Sequence, residues 1–152
     1  MTWSTDALWL GPAIAARLRE QLPALRTAEV MDDLTPDAYP KQLPAAVAML
    51  QDLRPQGSDG RVSTALVEAD WLAVLVGDSR RADRDAQRAA AGPLISQAVR
   101  ALHGWTPPGC ARPMSWVPGA PRPYFTRNFT AYPLLLRTAF TTRSEPGLPA
   151  LT

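Results

Sequence analysis

Six consecutive apolar residues, Trp71-Leu-Ala-Val-Leu-Val76, do most to limit what this chain can fold into. A strand with one face in water alternates apolar and polar side chains, whereas an unbroken run suits a strand covered on both faces. The sequence therefore calls for a central strand between two apolar layers. Gly77 and Asp78 stop it, and an arginine-rich turn, Ser79-Arg-Arg-Ala-Asp-Arg-Asp85, leads into a helix. From Ala91 the apolar residues fall at 91, 94, 95, 98 and 102, with Ser96, Gln97 and Arg100 turned outward. Gly104 stands where a C-terminal cap is expected, and Pro107-Pro108 prevents continuation. Gly92-Pro93 predicts a kink or break, because Pro93 has no N–H for the carbonyl one turn back.

At 152 residues the chain suits one domain with a real core. No segment approaches the roughly 20 apolar residues needed to span a bilayer. The N-terminus carries Trp3, Asp6 and Trp9 without a basic region, so it does not read as a secretory signal. Cys110 is the one cysteine, which excludes an internal disulfide framework and reads as a reduced, incidental thiol. Net charge is +2, but it is unevenly spread. Residues 1–76 have 10 acids and 6 bases, and residues 77–152 have 4 acids and 10 bases. Fifteen of the 16 bases are arginine, with Lys41 the exception. A genome rich in arginine, alanine and proline codons accounts for that bias. A subunit whose acidic side meets the basic side of a neighbour, head to tail, also accounts for it.

Before the central strand, Trp3, Leu8, Trp9 and Leu10 form an apolar lead-in, either a strap over the core or an arm to a neighbour, with the strap as the default reading. Ser4 or Asp6 is placed to cap a first turn, and Pro12 fits a first helical position. Ile14, Leu18 and Leu22 mark a helical stripe ending near Pro23. Residues 25–34 read as a strand with Ala28 and Val30 on one face. Residues 43–53 fit both a helix, by propensity, and an alternating strand. Pro55 to Gly60 reads as a turn, and Arg61 to Val76 as a long strand returning from it. After the helix come a proline- and glycine-rich connection with a short strand at 112–117, an arginine–aromatic loop at 122–129, and a last strand at 131–142. Leu134, Leu136, Thr138 and Phe140 face one side of that strand, and Leu135, Arg137 and Ala139 the other. Residues 143–152 lack periodicity and read as a flexible tail.

No assembled chemistry is visible. Walker, GxGxxG, HExxH, GxSxG and paired-cysteine patterns are absent, so no catalytic, metal or cofactor-binding residue is assigned. Asp32-Asp33 lacks further ligands and reads as a solvated loop. His103, the only histidine, lies at a helix C-terminus, where a cap contact is common, and has no local nucleophile or acid beside it. Asn128-Phe-Thr130 matches a glycosylation triplet that has no meaning without a secretory signal. Arg80, Arg81, Arg84 and Arg88 interleave with Asp78, Asp83 and Asp85, which weakens any DNA-reading assignment. Arg122, Tyr124, Arg127 and Phe129 have the composition of an interface loop. These eight residues are the candidate subunit or partner contacts.

Leu43-Pro-Ala-Ala-Val-Ala-Met-Leu, Asp70-Trp-Leu-Ala-Val-Leu-Val, Ala91-Gly-Pro-Leu-Ile with Ala101-Leu-His-Gly-Trp105, and Tyr132-Pro-Leu-Leu-Leu-Arg-Thr-Ala-Phe140 together resemble the tail terminator proteins of long-tailed bacteriophages, particularly Mu-type and other contractile-tailed phages. The resemblance spans roughly residues 10–142 and rests on the order and spacing of the motifs. It implies that residues 44–53 are a strand. It implies a single α/β (α+β) domain over 1–152: a mixed, largely antiparallel sheet with two main helices packed on it, long loops and flexible termini. It further implies a homo-hexameric ring in the virion, assembled in the host bacterial cytoplasm. Such a ring caps the tail tube and stops its polymerisation. Its partners would be the tube protein and a head–tail connector or neck protein, with the sheath as a further candidate and DNA passing through without sequence-specific binding. No catalytic residue and no cofactor come with it. Another neck or baseplate protein, or a small enzyme or ligand-binding domain, are the alternative readings.

Overall fold

The apolar run at 71–76 lies in the middle of β4 (Thr64–Asp78), and β4 has a long antiparallel partner on each side. On one side is β3 (Ala45–Ser58), paired from Ala45↔Val76 to Ser58↔Ala65 with irregularities between Leu50 and Asp52 and between Pro55 and Gly57. On the other is β7 (Phe129–Arg143), in register from Asp78↔Phe129 to Thr64↔Arg143. The computed structural model describes residues 3–4, 6–58, 64–80 and 83–143. Among them, β2 (Thr27–Val30) runs parallel to the start of β3. The far side of β7 is lined in turn by β6 (Tyr124–Phe125), β5 (Ser115–Val117), a bridge at Cys110 and the parallel β1 (Trp3–Ser4). The order is β1-β7-β4-β3-β2, with β5 and β6 also on β7. Two helices, α1 (Leu10–Gln21) and α2 (Arg84–Leu102), complete a single mixed α+β domain.

Each face of β4 meets its own apolar layer, as an unalternating run requires. Trp71, Ala73 and Leu75 pack with Leu10, Ile14 and Leu18 of α1 and Ala98 and Leu102 of α2. Leu72, Val74 and Val76 pack on the opposite face with Leu34, Phe129 and Leu135. That second layer is closed by loops: Met31, Tyr39 and Leu43 precede β3, and Val117, Ala120 and Tyr124 precede β7. The alternation expected in β7 is observed, with Leu134, Leu136 and Phe140 on the helix side and Leu135 on the loop side.

Of residues 43–53, those from Ala45 onward are strand, so pairing with β4 overrides the helix propensity of their alanines. β3 also continues through Pro55 to Ser58, where the sequence suggests a turn; the turn's remainder, at 59–60, lies outside the described residues. Pro55 is tolerated because no described strand pairs with the outer side of β3 at that level. α2 begins at Arg84 and runs unbroken through Pro93, where the sequence suggests a kink or break. Gly92 removes one obstacle: proline ordinarily clashes with the Cβ of the residue before it in a helix, and glycine has none, although the hydrogen bond that Pro93 lacks is still forgone. Gly11-Pro12 repeats this device in α1, with Pro12 at the third helical position instead of the first. Of the N-terminal lead-in, Trp9 and Leu10 pack on the core, the Trp9 ring edge-on to Phe140 at 6.1 Å, whereas Leu8 is exposed and Asp6 Oδ1 accepts its N–H at 2.9 Å. Arg17 ties the helices together, donating to the Ala101 carbonyl at 3.0 Å and lying over the Trp105 ring. The tail at 144–152 lies outside the described residues.

Candidate interaction surface

The two groups of residues singled out by composition, 80–88 and 122–129, are well separated in the chain, yet they meet at one end of the sheet. β4 ends and β7 begins there, so the turn after β4 and the loop before β7 are forced together by the pairing Asp78↔Phe129. The Ser79 hydroxyl lies within hydrogen-bond distance of the carbonyls of Thr126 (2.9 Å) and Arg127 (3.0 Å), which share its one proton. Gln87 of α2 donates to the Ser79 carbonyl at 3.3 Å. The Arg84 guanidinium lies 4.8 Å over the Phe125 ring. Asp83 caps α2 by accepting the Ala86 N–H at 2.8 Å, which fixes the orientation from which Arg84 and Arg88 project.

Within this surface the residues differ in role. Arg80 makes a two-pronged contact to Asp78 at 3.0 Å, and Arg88 pairs with Asp85. These two charges are largely neutralised locally. Arg84, Arg122 and Arg127 are exposed, and no ion pair engages them among the described residues. Tyr124 is half-buried and edge-on to Phe129; burial and the nearby Asp33 charge push its hydroxyl above the usual tyrosine range. Phe129 is fully buried between Tyr39 and Tyr124, so it anchors the surface from beneath and does not reach a neighbour. Phe125, not singled out from sequence, supplies the exposed aromatic face instead. Arg81 lies outside the described residues.

Beside this surface is a cavity of about 380 Å³ between the first half of α2 and the sheet, lined by Ala24, Pro44, Gly77, Leu94, Gln97 and Tyr132 among others. Its walls are mainly apolar, and Asp78 at its rim is held by Arg80. The buried Tyr132 hydroxyl has no hydrogen-bond partner among the described residues. Among those residues, no three histidine, cysteine or acidic side chains are grouped as a metal site. His103 is the C-cap residue of α2, and its Nδ1 accepts the Trp116 N–H at 3.1 Å, joining α2 to β5. Burial pushes the Cys110 thiol upward, away from the reactive thiolate.

The sequence contained no sign of a charge cluster built around a buried aspartate on the loop-side face. Asp70 is 4% exposed and accepts from Arg137 (2.9 and 3.1 Å) and Arg54 (2.9 and 3.1 Å). Arg54 also reaches Glu68 at 2.5 Å and Asp52 at 2.7 Å. Burial raises the Asp70 carboxyl, but the bonds and charges of Arg137 and Arg54 outweigh it and bring it down to about 2. The cluster ties β3, β4 and β7 together where the three strands run on toward the tip of the β3–β4 hairpin.

The model of the phage tail terminator protein family matches residues 5–146, nearly the whole chain. This chain belongs to that family. Terminators are structural proteins of the phage tail and not an enzyme family. Membership in the terminator family places the protein in the virion tail, in association with other tail or head-joining proteins. A search of curated proteins gives no match. No helix among the described residues is long and apolar enough to cross a membrane.

Proposed function

We propose that this protein assembles as a homo-hexameric ring on the last ring of the tail tube, stops tube polymerisation and presents the attachment surface for the head-side connector. Membership of the terminator family over residues 5–146 carries this reading. The surface formed by Arg84, Phe125 and Arg127, with Arg122 on the same loop, supports it. Exposed arginine beside an exposed aromatic ring is the composition of a protein contact. Arg80, Arg88 and Tyr124 frame that contact, and Phe129 holds it from below. DNA passes through the ring without sequence-specific binding, and the sheath, in a contractile tail, is a further neighbour.

The test is electron microscopy of particles from a phage or prophage lacking this gene. Overlong tubes, or tails that never join heads, are expected. Tails of normal length joined to filled heads would refute the terminator role and move the protein elsewhere in the tail.

A further inference from the structure

The two edges of the sheet are unlike each other. On the outer side of β3, β2 pairs only with Ala45–Ala48, and among the described residues no strand pairs that side from Met49 onward. On the opposite edge, β7 is lined by β6, β5, Cys110 and β1. Exposed large apolar side chains occur at both: Val30 and Leu50 at the first, Trp116 and Phe125 at the second. Leu50 is 40% exposed and Trp116 51%.

The register connects them. Leu50 lies opposite Trp71, Trp71 opposite Leu136, and Leu136 opposite Trp116. This is one cross-strand row. Its middle members, Trp71 and Leu136, are buried in the helix-side core, and its two end members are exposed. Residues directly opposite in a sheet share a face, so Leu50 and Trp116 lie on the same side as the helices.

Resting on the ring reading above, we propose that copies of this chain join edge to edge. The β5 edge of one copy lies alongside the unpaired stretch of β3 in the next, with Trp116 meeting Leu50 and Val30. Three observations favour a second copy as the occupant. First, β3, β4, β7 and β5 alternate in direction, so a neighbour in the same orientation brings β5 antiparallel to β3. Second, β5 is level with the right part of β3: Ser115 and Val117 lie opposite Arg137 and Leu135, these opposite Asp70 and Leu72, and these opposite Asp52 and Met49. Third, the apolar ends of the row are complementary and lie on one face. The contact uses two different surfaces of the same chain, the head-to-tail type that closes into rings. It also covers a strand edge that would otherwise be open to unwanted pairing.

The experiment combines Leu50→Cys with Trp116→Cys in a Cys110→Ser background, treated with a short bismaleimide. It is done on the purified protein and on tails carrying the variant. A ladder of cross-linked multimers from the double variant, with monomer bands from each single variant, is expected. Tails that contain the double variant without any ladder overturn the edge contact and leave the terminator role standing. Cross-linked dimers from a single variant also overturn it, since they mean like surfaces meet. Tails that lack even the wild-type protein refute the terminator role itself. A second test is independent of the cross-linker. Leu50→Lys and Trp116→Glu each shift the assembled protein to monomer by sedimentation, and mixing the two restores alternating rings. A variant that remains assembled by itself, or a mixture of the two monomeric variants that does not reassemble, overturns the proposal.

Discussion

Asp70 joins three strands in the far half of the sheet. Its carboxylate is nearly enclosed and takes four hydrogen bonds from two guanidinium groups. Asp70→Asn leaves Arg54 and Arg137 facing an amide with half the acceptor capacity and no charge. Breaking a fully enclosed pair costs about 3–5 kcal/mol; both arginines keep some contact with water, so about 2 kcal/mol is expected here, read as a lower urea midpoint. The pH dependence has a definite sign. The folded carboxyl titrates at about 2, below its ordinary value of 3.8, so its stabilisation is complete above about pH 4 and is lost as pH falls through 2. The wild-type midpoint should therefore drop between pH 4 and pH 2, and Asp70→Asn should flatten that segment. An unchanged slope in the variant would assign the acid sensitivity to other carboxylates. None of this was legible in the sequence: Asp70 pairs with partners 16 and 67 positions away, and charge composition does not report which acids are buried.

At the scale of elements, the two Gly-Pro pairs resist substitution for different reasons. A Cβ on Gly11 would come within 2.8 Å of the buried Trp71 ring and 3.2 Å of Val30, so Gly11→Ala forces α1 away from the sheet. Overpacking of this kind costs about 1–3 kcal/mol, which outweighs the gain of up to about 1 kcal/mol that alanine brings to a helix. Thermal unfolding should show a lowered midpoint; a raised one would mean α1 is free to shift. Gly92 has open space around the position of a Cβ, but that Cβ would face the Pro93 ring. Gly92→Ala should therefore fail to deliver the usual helix gain, leaving the midpoint unchanged or lower. The elements themselves were largely legible, because the unalternating run at 71–76 and the alternation at 134–140 follow directly from which faces are covered. Period alone did not decide 43–53, where propensity and pairing disagree, nor the start of α2. The first turn of α2 carries charged, exposed residues that leave no apolar stripe to read.

For the whole molecule, composition located half of what mattered. The arginine and aromatic residues at 80–88 and 122–129 could be picked out in the chain, and the Asp78↔Phe129 pairing makes them one surface. Which of them face outward depended on packing: Phe129 is core and Phe125 is surface, a distinction two aromatic residues of one short loop cannot reveal in a sequence. Uncovered sheet edges were also illegible, since they depend on where a neighbouring strand stops. The surface reading has a direct consequence. Arg84, Arg122 and Arg127 are exposed and hold no part of the core together, so replacing all three with glutamate should leave the thermal midpoint within a few degrees of wild type. Exposed charges act over about 8–10 Å at physiological salt, so the reversal is felt only by a partner seated against this face. The triple variant should then fold normally yet fail to complement a deletion of the gene, giving tails that overgrow or remain unjoined. Complementation at wild-type efficiency would show that this end of the sheet faces solvent in the assembled tail. The contacts would then lie along the strand edges, where Leu50 and Trp116 mark the two ends of one row.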